Sequence, residues 1–305
     1  MLNIVDIQES FGFKEATWKI EGELINTEKG LKRVIVWSDE RKLSWHMLWR
    51  DELCKNTECL SNRMIQTKMG DRVLLTNAGW ITVHDEVTTL FSYKGLEKEF
   101  GEFLGKYFSN KVSTRDVEIS DVTLNTRSEH WKLLASQHHF PEDHRFVLKQ
   151  LQKESQRRLE SVNRLSKKYE WPIPPVVSPI QSLNQGKLVF EKLYWENRSL
   201  TPEKGYHSMK VVLVEWLQRY GKTSLRNLLT AVNAHFPVEG EHGIALLAEC
   251  LLPREFLLFL KQYGAAGEQS FSVAYEELKR QWNTSCQLVN IVSEWVDLSR
   301  EKVGV

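Results

Sequence analysis

The sequence predicts an α+β protein, with a small β-rich region over residues 1–88 and a larger, mainly helical region over residues 89–305. Three observations carry this. Apolar–polar alternation is confined to roughly the first ninety residues. Two glycine-bearing turns, Thr27-Glu28-Lys29-Gly30 and Thr67-Lys68-Met69-Gly70, punctuate that stretch. Beyond residue 224 the apolar positions recur at helical spacing almost without a break. Strands and helices segregated in this way mark α+β architecture.

Taken in order, residues 18–26 set Trp18, Ile20, Gly22 and Leu24 against Lys19, Glu21 and Glu23, the pattern of a half-buried strand. Gly30 supplies the positive φ of the turn, and residues 31–37 form the returning strand. Residues 43–54 read as a helix on Leu43, Met47, Leu48 and Leu53. A second hairpin is expected from residues 64–66 and 73–75, with a further strand over 80–83. Residues 90–108 are expected to be helical, with Leu96, Phe100, Phe103, Leu104 and Phe108 on one side, and 112–128 to be a loop. A long charged helix spans 141–169 and stops at Trp171-Pro172-Ile173-Pro174-Pro175. Residues 187–193 and the Val-rich 209–216 read as strands, the latter buried. Helices follow over 224–235, 243–252, 253–263, 272–281 and 286–303.

The 305 residues carry a formal net charge of +1 and 27% charged residues, so no global field draws the chain to nucleic acid or anionic membrane. An RNA-binding reading of the basic helix over 149–168 competes with an ordinary solvated helix, because Glu142, Glu154 and Glu160 interleave with its cations. Eleven tryptophans imply extensive packed surface or a binding patch. Cys54, Cys59, Cys250 and Cys286 form no CxxC pair, which points to free thiols in a reducing interior rather than zinc or disulfides. His138, His139 and His144 imitate a metal cluster, but Pro141 interrupts them and a solvated loop is the plainer reading. Neither a secretory signal nor a membrane span is expected, and the expected location is cytoplasmic.

Four segments carry a resemblance. They are Thr27-x-x-Gly30-Leu31-Lys32; Ile65-x-Thr67-x-x-Gly70, leading to residues 84–87; Phe190-Glu191-Lys192-Leu193-Tyr194-Trp195-Glu196-Asn197; and Val214-Glu215-Trp216-Leu217-Gln218-Arg219-Tyr220 with Ser224-Leu225-Arg226-Asn227-Leu228-Leu229. Further on, Leu251-Leu252-Pro253-Arg254-Glu255-Phe256 adds to it. By pattern along nearly the whole chain these resemble the aminoglycoside-phosphotransferase, kinase-like superfamily, in particular its spore-coat S-type branch. The resemblance implies a bilobal protein-kinase-like fold. It puts Lys32 where the family's lysine holds nucleotide phosphates. It lays residues 190–197 on the family's His-Gly-Asp-x-x-x-x-Asn loop, with Lys192 at the aspartate and Asn197 at the metal-binding asparagine. It puts Glu215 at the strand-end aspartate that binds metal, and Asn227 at a later aspartate.

A lysine cannot serve as the loop's base at neutral pH, and a positioned acid–base group contributes about 10²–10⁴ in rate. The resemblance therefore implies a pseudokinase that uses no cofactor and binds other proteins. On this reading it is a spore-coat or coat-assembly component, made in the mother cell and deposited in the coat, with spore-coat proteins as partners. The alternative is an ATP-dependent small-molecule phosphotransferase that holds Mg-ATP with Lys32, Asn197 and Glu215. Read without the family, Lys32 is a surface lysine, Lys192 and Glu215 are charges at strand ends, and Asn197 is a turn residue.

Overall fold

The computed structural model describes residues 2–121, 126–136, 140–265 and 268–303. Asn3 opens the first helix, α1 (Ile4–Phe11), by accepting from the Val5 amide, and Gly12 closes it at φ 70°. The strands β1 (Ala16–Ile20), β2 (Leu24–Thr27) and β3 (Gly30–Trp37) follow as a meander. Asp39 caps α2 (Glu40–Asn56) by accepting from the Arg41 and Lys42 amides. Next come β4 (Leu60–Ser61), β5 (Leu74–Thr76), β6 (Gly79–Asp85) and α3 (Glu97–Ser109). Then come β7 (Ser120–Asp121), α4 (Thr126–Ala135), α5 (Glu142–Lys168) and β8 (Val176–Val177). The hairpin β9 (Gly186–Val189) and β10 (Lys192–Trp195) precedes β11 (Glu203–Lys204). The chain ends in α6 (His207–Asn233), α7 (Glu241–Leu251), α8 (Arg254–Ala265) and α9 (Glu268–Val303). None of the described helices is long and apolar enough to cross a membrane.

Packing divides the chain into two units. The first comprises Met1–Tyr93, Lys106–Ser120 and Val176–Glu203; the second comprises Lys94–Gly105, Asp121–Pro175 and Lys204–Val305. The first unit is built on an antiparallel sheet in the order β1-β2-β3-β6-β5. The α1 side chains Ile7 and Phe11 pack with Ile25, Val34, Ile81 and Val83 on one face. On the other, Trp37, Leu43 and Met64 form a core between sheet and α2. Behind it Trp45 stacks on Trp49, which meets Tyr107 edge-on, and Tyr107 meets Trp195. Tryptophans thus enter the core here. A small second sheet, β4-β10-β9, has β4 parallel to β10.

In the second unit, Gly101 and Gly105 of α3 lie against the backbone of α6, under Leu228 and Val232, where a Cβ would collide. Phe100 stacks on Trp216, and Ser224 donates to Glu97. A separate core gathers Leu148, Leu159 and Val162 of α5 with Phe256, Leu260 and Trp282. Beside it Arg158 donates to Glu255 at 3.1 Å and lies 3.9 Å over the Trp282 ring.

Several elements differ from the sequence expectation. Residues 18–26, read as one strand, fold back on themselves: residues 21–23 turn between the paired strands β1 and β2. The helices expected over 272–281 and 286–303 are one, α9. Residues 209–216, read as a buried strand, are helical: Met209, Val212, Leu213, Trp216 and Leu217 are buried at a helical period, which outweighs the β-branched valines. That helix breaks at Gly221, with φ 80°. Residues 190–191, read within a catalytic loop, are the two-residue turn of the β9–β10 hairpin, with φ 48° at Phe190 and 62° at Glu191. Residues 64–66 form no strand; β5 pairs with β6 instead.

The Arg158 and Glu255 side chains are only 7% and 6% exposed. Glu255→Ala leaves a buried guanidinium without its carboxylate, and urea unfolding should show a loss of about 3–5 kcal/mol. The paired change Arg158→Met with Glu255→Leu should cost less than either single truncation.

Candidate functional site

The pairing of β3 with β6 decides which side chains share a face. Lys32 lies opposite Asp85, Arg33 opposite His84, Ile35 opposite Thr82, and Trp37 opposite Trp80. Alternation sends Val34, and with it Lys32, to the α1 side, while Trp37, Ile35 and Arg33 take the α2 side. Lys32 donates to the Lys29 carbonyl at 2.6 Å and to Asp85 Oδ1 at 2.7 Å. Its ammonium is therefore engaged at the strand's end, on the face away from α2. The strand's cation on the α2 side is Arg33, held by Glu86 through Nε at 2.7 Å and Nη2 at 2.9 Å. That hydrogen bond raises the guanidinium's pKa.

Behind Arg33 a buried polar chain runs through the α2 face. Trp37 Nε1 donates to Thr82 Oγ1 at 2.9 Å. Thr82 Oγ1 lies 2.9 Å from His84 Nε2, and His84 Nδ1 lies 2.8 Å from the Asn62 carbonyl. The carbonyl can only accept, so the network assigns the proton to Nδ1. Asn62 then closes on Asn197: its Nδ2 donates to the Asn197 carbonyl at 3.1 Å, and its Oδ1 accepts from the Asn197 amide at 3.0 Å. Arg50 Nη2, from α2, donates to the same carbonyl at 3.1 Å. The Asn197 side chain donates to Ser61 Oγ at 2.9 Å. Arg50, Ser61, Asn62 and Asn197 are all at most 3% exposed.

Asn197 is buried; its amide, carbonyl and side-chain NH₂ are used within the protein, while its Oδ1 has no hydrogen-bond partner. Lys192 does not occupy a loop: it is the first residue of β10, exposed and paired with Val189. Glu215 is not at a strand end. It sits on α6 and pairs with Arg219 one turn on, at 2.8 Å. Asn227 is exposed further along the same helix. His138 and His139 lie outside the described residues, and His144 packs 4.4 Å from the Tyr275 ring. Among the described residues no group of three or more His, Cys, Asp or Glu is arranged to hold a metal ion.

The segment between β8 and β9 is pinned from within the first unit. Tyr107 donates to the Ser178 carbonyl at 2.6 Å, and Tyr93 to the Leu183 carbonyl at 2.8 Å. Gln185 Oε1 accepts from the Gln181 amide at 2.7 Å, and its Nε2 donates to the Glu196 carbonyl at 2.9 Å. Ile180 is buried there. Glu196, immediately after β10, is the half-buried carboxylate near Lys187 and Arg198, at 3.9 and 3.7 Å. Sequence reasoning passed over Arg50, Asn62, His84 and Glu196. One of them left a signal: Arg50 falls seven residues after Leu43 and three before Leu53, a cation inside an apolar helical stripe.

Known structures share this fold. The fold is that of the aminoglycoside phosphotransferases. An aminoglycoside phosphotransferase from Alicyclobacillus acidocaldarius superposes with a TM-score of 0.73 at 12% identity, covering 97% of each chain. The AMP-bound spectinomycin phosphotransferase APH(9)-Ia gives 0.63 at 12% identity, covering 94% of this chain and 95% of that one. A microcompartment-associated aminopropanol kinase gives 0.58 at 9% identity, covering 96% and 99%. At such identities the likeness is one of fold. No family model matches the chain, and no curated protein is significantly similar to it in sequence.

Within this phosphotransferase fold two imidazoles are held neutral. Burial, with the Arg50 charge alongside, pushes His46 and His84 down from 6.5 to about 3. Below pH 6.5 the unfolded chain binds protons that the folded chain refuses, so stability is full above that pH and falls as pH drops toward 3. Each histidine should cost about 2 kcal/mol between pH 7.5 and pH 5.0. Urea unfolding at the two pH values measures this, and His84→Gln should remove about half of the difference.

Proposed function

We propose that this chain is a kinase-fold protein without phosphoryl-transfer chemistry, which works by binding. The observation that carries this reading is the buried Arg50–Asn62–Asn197 network. In kinase-type transfer the lysine of the third strand pairs with a carboxylate from the following helix, a loop aspartate orients the nucleophile, and an asparagine and an aspartate hold the metals. Here the buried charge that α2 contributes is Arg50, a cation. The Asn197 backbone carbonyl holds that cation and Asn62, and its side-chain NH₂ donates to Ser61.

The β9–β10 hairpin also admits a second register for the family's loop, in which Asn197 is not the family asparagine. The His-Gly-Asp-x-x-x-x-Asn spacing fits the segment before the hairpin, where it puts Ser178, Pro179, Ile180 and Gln185 at the four named positions. An isoleucine accepts no proton, and Gln185 is tied to Gln181 and Glu196. This supports the degenerate reading on residues other than Lys192. The coat role, the protein partners and the mother-cell location come from the sequence resemblance and belong to the same proposal. A fluorescent fusion that stays diffuse through sporulation would remove them without touching the pseudokinase assignment.

An ATP-dependent small-molecule phosphotransferase is the second reading. Glu196 favours it, because it follows β10 at the strand-end position where a metal-binding carboxylate is expected. Unfolding in urea with and without Mg-ATP separates the two. The pseudokinase reading expects no change at millimolar nucleotide. A gain of about 2.7 kcal/mol at roughly 100 times Kd, lost in Glu196→Gln, would instead establish the phosphotransferase reading.

A further inference from the structure

Within the first unit, α2 and residues 63–72 border a groove of about 720 Å³, within the range of small-molecule sites. Its charged lining is one-sided: Arg50, Lys55, Arg63 and Arg72 face a single carboxylate, Asp51. Two of the cations are already neutralised. Arg72 Nη1 donates to both Asp51 oxygens at 2.9 Å, and Lys55 to Glu52 at 2.6 Å. The other two are not. Arg63 is exposed and has no ion pair among the described residues. Arg50 is 2% exposed, and its Nε and Nη1 have no hydrogen-bond partner.

Arg50 is the unusual member. Burial lowers its pKa only to about 10, so it stays charged at neutral pH. Its carbonyl contact at Asn197 satisfies one nitrogen, and the Trp37 ring lies 6.0 Å away. A buried guanidinium without a counter-ion is costly, and charge-assisted bonds to an anion are the strongest remedy. Met47 and Met64 supply an adaptable apolar wall to the same groove.

We propose that this groove binds a small phosphate monoester with an apolar body. The phosphate lies between Arg50 at the floor and Arg63 at the rim, and the body rests on Met47 and Met64. A phosphate suits the lining better than a carboxylate because it presents more acceptor oxygens and more charge to several guanidinium groups at once. The site uses none of Lys32, Glu196 or Glu215, and it needs neither metal nor nucleotide. It shares Arg50 with the network above, but phosphate binding in metal-free and nucleotide-free buffer is read separately from the nucleotide test.

Calorimetric titration with phenyl phosphate, in metal-free and nucleotide-free buffer, tests this. Phenyl phosphate should bind, more weakly at high salt, and more tightly than inorganic phosphate or benzoate. Arg63→Ala should weaken binding about tenfold, consistent with a charge-assisted bond, Arg72→Ala should change it little because Asp51 already holds that guanidinium, and Arg50→Met should abolish it. Should Arg50→Met fail to fold, the exposed Arg63 still decides the matter. The proposal is overturned by no heat at millimolar phenyl phosphate, by benzoate binding as tightly, or by affinity unchanged in Arg63→Ala. Tighter capture of a phosphoserine peptide than of phenyl phosphate would overturn the small-molecule assignment.

Discussion

The Asn197 carbonyl is the fixed point of the first unit. It accepts from Arg50 on α2 and from Asn62 just after β4, while itself following β10. A helix and two paired strands are thereby tied to one oxygen, in surroundings dry enough to strengthen each bond. The Asn62 amide adds a bond to the Trp195 carbonyl at 3.2 Å, so the cross-link continues into β10. The histidine chain from Trp37 through Thr82 ends on Asn62 and depends on the same anchor.

The fold was largely legible because its periodicities are local. Alternation marked β3 and found strand over 18–26 while missing the turn that splits it into β1 and β2, and the apolar stripe of α5 marked a helix over 141–169 that the structure bounds at Glu142–Lys168. α1 was also legible in principle, since Asn3 and Gly12 are its two caps, but its eight residues make a short pattern. The failures have separate causes. Residues 209–216 are rich in valine, and β-branching was weighed above the spacing of Met209, Val212, Leu213 and Trp216. At 190–191 the chain turns at positive φ on Phe and Glu rather than on Gly or Asn, so nothing local announced a hairpin.

The candidate site was less legible, because its residues meet through pairing register rather than proximity in sequence. Lys32 and Arg33 are adjacent, yet only Arg33 shares the α2 face, and which of them does so is set by their pairing with residues 84 and 85. A one-residue slip would exchange them. Arg50 and Asn197 are 147 positions apart, and no spacing rule connects them.

The two glycines of α3 give the second unit a contact of a different kind. Replacing alanine by glycine within a helix costs about 1 kcal/mol per position, and α3 bears this at Gly101 and again at Gly105. In return, the helix comes close to the Leu228 and Val232 backbone, with only the Cβ atoms of Ala231 and His235 beside the contact, and no long side chain has to be frozen to make it. The distance between these two axes is therefore set by main chain and Cβ atoms. It works as a gauge block: neighbouring side chains can be exchanged around it, but the gap has no thinner setting, and any side chain added at either glycine must open it.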